Sequence, residues 1–169
     1  AAELVAAGRQ NPKGLTYGSG GSGTASHLAP ELFARRVGLK VLHVPYKGGL
    51  LAMQAVMAGD VDFMCENPQP TFMSPGSLIR PLAVFQPNRL PLLPDVPSIQ
   101  EAGLKEDLTI RSWHGLFLRN GTPQATSNRI LKAAQEAMSK PQVRSQIQAM
   151  SIEPIESNPK AFASFFASE

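Results

Sequence analysis

The stretch that most limits what this chain can become is Gly18-Ser19-Gly20-Gly21-Ser22-Gly23-Thr24, set between an apolar run and a helical pattern. Leu15 to Tyr17 has the make-up of a strand, and Ala25, Leu28 and Leu32 recur at i, i+3 and i+7, the spacing of a helix face. Small residues between a strand and a helix let the backbone come close to a ligand. The free N–H groups of the helix start then point at one spot, together with the Ser and Thr hydroxyls, and that arrangement suits an anion. The loop reads as a grip for a carboxylate. A Gly/Ser turn that holds no ligand is the alternative from this stretch alone.

Gly18-x-Gly20-x-x-Gly23 also matches the dinucleotide fingerprint, which needs an acidic residue roughly 20 residues on to hold the ribose. The next apolar run, Lys40 to Val44, leads into Pro45-Tyr46-Lys47 and contains no acid. The nucleotide reading fails there, and no cofactor is expected. A hydrolase nucleophile elbow would place glycines on both sides of Ser22, which has Gly20 and Thr24 instead. His27, His43 and His114 lack metal-ligand spacing, so no metal site is expected. The chain is read as non-enzymatic.

Punctuation by glycine and proline divides the rest. A helix over residues 3–10 stops at Asn11-Pro12. The helix after the glycine loop runs to about Val37, with Gly38 as its C-terminal cap. Pro30 is tolerable inside it only if regular helix begins near Ser26 or His27. A strand over Lys40 to Val44, the turn Pro45 to Gly49, a helix over Leu50 to Ala58 capped by Gly59, and a strand over Val61 to Cys65 follow. These are two βαβ units in a row, and in such sheets ligands bind beyond the carboxyl ends of the strands. Those ends are Ser19–Thr24, Tyr46–Gly49 and Glu66–Asn67.

Further on, strands are expected over Arg80 to Phe85 and Ile110 to Leu118, with an extended proline-rich segment from Pro87 to Pro97. A capped turn lies between them, from Ser98 to Gly103. Thr122-Pro123 opens a helix as cap and first residue, with Ile130, Ala134, Ala137 and Met138 on its apolar face. Pro141 opens another, a brief strand spans Ile152 to Ile155, and Asn158-Pro159 opens the last helix. There Phe162, Phe165 and Phe166 form a buried stripe. This tail has no sheet of its own and calls for a partner element.

A length of 169 residues fits one domain or two small lobes. With 43% hydrophobic and 17% charged residues the chain is globular in composition. Its 16 Lys and Arg against 13 Asp and Glu are scattered, so no nucleic-acid partner is expected. Cys65 stands alone, which excludes an internal disulfide, and reads as a buried small hydrophobe. No apolar run reaches transmembrane length, and the N-terminus reads as a helix entered partway, as in a fragment.

In order along the chain, Leu15-Thr16-Tyr17-Gly18-Ser19 with His27-Leu28, His43-Val44-Pro45-Tyr46-Lys47-Gly48-Gly49 and Gly59-Asp60-Val61-Asp62-Phe63-Met64 form a recognisable series. It continues through Arg80-Pro81-Leu82-Ala83-Val84, Leu93-Pro94-Asp95-Val96-Pro97-Ser98, Trp113-His114-Gly115-Leu116-Phe117 and the helix starts at Thr122 and Pro159. The series resembles the Bug family, the solute receptors of tripartite tricarboxylate transporters. The resemblance implies an α/β, type II periplasmic-binding-protein-like architecture of two lobes that close on a small carboxylate. It implies that residues 1–115 are the second lobe, with its βαβ units complete, and 116–169 the returning, incomplete part of the first.

On this resemblance the chain is a periplasmic receptor, its signal peptide upstream, that delivers a small organic carboxylate or amino acid to membrane components of a transporter. The alternative is a ligand-sensing module of a regulator or sensor. Ser19, Gly20, Gly21, Ser22, Gly23 and Thr24 are assigned to the carboxylate. Tyr46, Lys47, Gly48 and Gly49 reach the ligand directly or through water, although Lys47 reads equally as a solvated lysine. Glu66 receives a ligand amine or hydroxyl, or else serves as a solvated helix cap or hinge residue, beside Asn67. His27 supports the glycine loop, and Trp113 reads as a hinge or core residue, with ligand stacking as the alternative. The chain departs from the family pattern at Pro30, at Cys65-Glu66, where Phe-Asp is usual, and at Lys140, where an Asp cap is common.

Overall fold

The computed structural model describes residues 1–68, 76–104, 108, 112–149, 152, 155 and 158–168. The chain divides into two compact units, Ala1–Trp113 and His114–Glu169. The first contains helix α1 (Ala2–Gln10), strand β1 (Leu15–Ser19), helix α2 (Ala25–Val37), strand β2 (Val41–Pro45), helix α3 (Gly49–Ala58) and strand β3 (Phe63–Met64). The strands form a three-stranded sheet in the order β2-β1-β3. Both pairings are parallel, with Tyr17 opposite His43 on one side and Phe63 on the other. Parallel neighbours need crossover connections, which α2 and α3 supply. The two expected βαβ units are present, and β1 is their shared central strand.

Local chemistry sets the boundaries. Gly38 and Gly59 cap α2 and α3 in left-handed conformation, at φ 68° and 79°. Strand β3 is shorter than the expected Val61–Cys65. The Asp62 carboxylate accepts both the Thr16 N–H, at 2.7 Å, and the Thr16 hydroxyl, at 2.8 Å. A side chain thus takes the place of a ladder bond, and regular pairing begins only at Phe63.

Helix α2 departs from its expected phase. Leu28, placed on the apolar face by spacing, is 54% exposed. The buried face is Ser26, Ala29, Pro30, Phe33, Ala34 and Val37. Ser26 turns inward because its hydroxyl accepts the Gly20 N–H at 3.0 Å, and that bond rotates the helix about its axis. The helix also begins at Ala25, so Pro30 lies in its second turn rather than its first. The Ser26 carbonyl has no N–H from Pro30 to accept, and burial of the Pro30 ring compensates.

The expected strand Arg80–Phe85 is reduced to a single parallel bridge, Val84 with Ser98. Pro81 and Pro87 flank it, and prolines donate no ladder bond. Ser98 and Glu101 form a reciprocal capping box: the Glu101 N–H donates to Ser98 Oγ at 3.2 Å and the Ser98 N–H to Glu101 Oε2 at 2.8 Å. This segment covers α2, and Ile99 and Leu108 join Phe33 and Val37 in one core cluster. Leu15, Tyr17 and Phe63 form a second cluster on the sheet. Residues 110 and 111 lie outside the described set, and no strand forms over 112–118.

The second unit holds α4 (Gln124–Ser139), α5 (Pro141–Ala149) and α6 (Pro159–Ser168). Pro123, not Thr122, is the N-cap of α4, because the Thr122 hydroxyl donates to the Arg119 carbonyl at 2.7 Å. Asn158 does cap α6, its Oδ1 accepting the Ala161 N–H at 2.8 Å. The expected buried stripe of α6 is not buried: Phe165 and Phe166 are 39% and 52% exposed. Their rings gather with Phe162 and Phe117, a cluster too small to enclose them. The strand expected over Ile152–Ile155 lies largely outside the described residues.

Candidate functional site at three strand ends

The three strand ends that the sequence marks meet in space. A Cβ on Gly20 would stand 3.0 Å from the Gly49 nitrogen and 3.3 Å from the Gly48 carbonyl carbon, so only glycine lets the first two loops touch. The Glu66 carboxylate lies directly against Gly49 from the third strand end, its other oxygen accepting the Asn67 N–H at 2.9 Å. The Tyr46 N–H donates to the Ser19 carbonyl at 2.9 Å and extends the β1–β2 ladder into the loops. One tier lower, Gly18 lets Ala52 and Val61 pack close on β1, where a Cβ would meet their side chains at 3.4 and 3.3 Å.

Within the glycine loop, polar groups divide into those that build the loop and those left over. Ser19 is fully buried. Its Oγ contacts the Gly21 carbonyl at 3.2 Å, the Gly21 N–H at 3.1 Å and His43 Nε2 at 2.6 Å. The Gly20 N–H is taken by Ser26, the Gly23 N–H by His27 Nδ1 at 3.0 Å, and the Thr24 hydroxyl donates to the Gly21 carbonyl at 2.7 Å. Among the described residues the exposed Ser22 hydroxyl has no partner, and the N–H groups of Ser22, Ala25 and Ser26 find no acceptor. Those three amides stand at the positive end of α2, where an anion is favoured.

The ring of polar groups beneath the loop escaped the sequence reading apart from His27. His27 and His43 stack with centroids 4.1 Å apart, and Tyr17 stacks on His43 at 4.9 Å. The Tyr17 hydroxyl donates to Glu31 at 2.8 Å, and burial together with that carboxylate pushes the phenol up, so it stays protonated. Burial, then the neighbouring His27, holds His43 below the usual imidazole range. Ser26 and His43 carried no spacing signal; their partners are the loop backbone and a buried hydroxyl.

Lys47 is exposed and makes no ion pair among the described residues. Cys65 is partly buried, and desolvation reinforced by Glu66 pushes its thiol up to about 12. Trp113 ends the first unit. A shallow depression lined by Ala1, Arg80, Pro97 and Glu101 contains none of the loop residues, and its Arg80 is paired with Glu3 at 2.7 Å.

The whole chain, residues 1–169, matches the model of the tripartite tricarboxylate transporter family receptor. The chain belongs to that family. It is 33% identical over 168 residues to the UPF0065 protein in the tcbD-tcbE intergenic region of Pseudomonas sp., covering 99% of this chain and 50% of that one. The solved periplasmic binding protein BugD superposes with a TM-score of 0.89 at 28% identity, over 99% of this chain and 56% of that one. An R. palustris protein solved with adipate gives 0.88 at 27% identity, over 99% and 56%. The receptor family is one of periplasmic solute-binding proteins, not of enzymes, and the mixed α/β architecture is theirs. This receptor chain spans about half the length of the relatives it matches.

Proposed function

We propose that this chain carries one side of the ligand cleft of a periplasmic receptor, and that the ligand is a small organic carboxylate or amino acid. The observation behind the reading is the contact of three strand-end loops at Gly20, Gly49 and Glu66, beside three N–H groups at the start of α2 that have no acceptor among the described residues. The ligand carboxylate accepts from the N–H groups of Ser22, Ala25 and Ser26 and from the Ser22 hydroxyl. Ser19, Gly20, Gly21, Gly23 and Thr24 hold the loop in the shape that presents them. Tyr46 to Gly49 and Asn67 frame the cleft. Glu66 occupies the positive end of α3, which leaves the end of α2 as the seat for the anion and turns a carboxylate toward any amine or hydroxyl of the ligand. The adipate-bound relative supports a small carboxylate as the ligand class. Residues 1–115 then belong to one lobe, 116–169 to the other, and the loaded receptor hands its ligand to the membrane components of a tripartite transporter.

The test is a thermal-shift screen of dicarboxylates, aromatic acids and acidic amino acids on the natural full-length chain, repeated with Ala25→Pro. Proline suits the first residue of a helix, and the extended Thr24 before it (φ −74°, ψ 163°) tolerates it, so the substitution removes one N–H and leaves the fold. At least one carboxylate should raise the melting temperature, and Ala25→Pro should weaken its binding about tenfold, as for the loss of a charge-assisted bond. Melting that no carboxylate shifts would discard the reading.

A further inference from the structure

The stacked histidines under the glycine loop do more than fill space. Ser19 Oγ accepts the Gly21 N–H and lies 3.2 Å from the Gly21 carbonyl, which also accepts from the Thr24 hydroxyl. The shortest contact of Ser19 Oγ is to His43 Nε2 at 2.6 Å, and a neutral imidazole satisfies it in either tautomer: a protonated Nε2 donates to Ser19, and a bare one accepts the Ser19 proton. His27 has a stricter requirement: its Nδ1 accepts the Gly23 N–H, so that nitrogen must be bare. One imidazole therefore holds the strand end of the loop and the other its helix end. The two rings lie 4.1 Å apart, nearly parallel at 19°.

We propose that His27 and His43 are positioning residues that hold the anion-gripping loop only while both are neutral, so that ligand affinity falls on acidification. A proton on His27 Nδ1 removes the acceptor of the Gly23 N–H and leaves that amide pointing at a donor. A second proton on His43 obliges Nε2 to donate to Ser19 and puts a cation in the stack between Tyr17 and His27. Charging both sets like charges face to face. The groups that face the pair are Tyr17 from β1, with Ser19 at its end, and Glu31 from α2. Glu31 is the one acid among them, and it is engaged by the Tyr17 hydroxyl. The proposal rests on the loop being the ligand grip, yet its first consequence concerns the loop alone.

The experiment therefore has two arms on the natural full-length chain. Long-range proton–nitrogen spectra of the imidazoles should show His27 with its proton on Nε2, and His43 with a single ring proton, at about pH 8. On titration to about pH 5, the Gly21 and Gly23 amide signals should move together with the ring nitrogens. A His27 proton on Nδ1, or loop amides that ignore the rings, would overturn the proposal without touching the carboxylate reading. The second arm measures adipate affinity over the same range in the native chain and in His27→Asn with His43→Gln, which keep an acceptor and a donor but cannot titrate. The acid's own titration is common to both and cancels. The native chain should lose about tenfold more affinity than the double variant, one pKa unit of linkage. Equal pH profiles, or native affinity that rises as an imidazolium attracts the anion, would overturn it. If no probe binds while the spectra behave as expected, the carboxylate reading fails and the positioning role of the histidines stands.

Discussion

Ser19 shows how a residue assigned to a ligand can be given over to architecture. A hydroxyl that is fully buried with three partners has no capacity left for a fourth. Ser19→Ala should cost about 1–3 kcal/mol in urea unfolding, because the Gly21 N–H and His43 Nε2 lose their partner inside the protein. A loss within error of zero would mean that water replaces the hydroxyl. His43 adds a pH dependence. Its folded-state pKa is held below the unfolded value of about 6.5 by burial and then by His27, so below that pH the unfolded chain binds more protons. Stability is complete above the unfolded value and is lost as pH falls through the folded one. Urea midpoints measured at falling pH should drop further in the native protein than in His43→Gln. At this scale the sequence was legible for loop chemistry but not for its partners. Glycines and hydroxyls announce a turn near a ligand, whereas His43 meets Ser19 only after β1 and β2 pair in parallel.

At the scale of elements, punctuation was the reliable signal. Gly38 and Gly59 end their helices in left-handed conformation, as their place after each apolar pattern implied. Gly38→Ala should destabilise by about 1–2 kcal/mol from backbone strain alone, since a Cβ there meets open space, and Gly38→Asn should recover much of that. Thermal unfolding of the two variants side by side separates strain from packing. Periodicity was less dependable. The face of α2 was misplaced because one polar residue, Ser26, decides which side turns inward. Strands fared worst where a side chain or a proline replaces a ladder bond, as Asp62 does before β3 and as Pro81 and Pro87 do around Val84. Such substitutions depend on a distant partner and leave no periodic trace. The phenylalanines of α6 were read as core from spacing, but spacing identifies an apolar face and not what covers it.

For the whole molecule, the division at Trp113 and His114 separates a sheet-containing unit with two core clusters from a helical unit whose α4, α5 and α6 contain no buried residue. The piece 1–113 expressed alone should therefore retain a cooperative thermal transition, while 114–169 alone should melt without one; calorimetry of the two pieces checks this. Cooperative melting of the helical piece by itself would show that its half-buried faces suffice. The strand order has a consequence of its own. Among the described strands β2 has one unpaired edge, the kind of edge that recruits strands from other molecules and seeds aggregation. It ends in Pro45, which has no N–H to offer, at the same level of the sheet as Ser19. A stray strand that adds to this edge finds no donor at Pro45, so pairing there is interrupted at the level of the glycine loop.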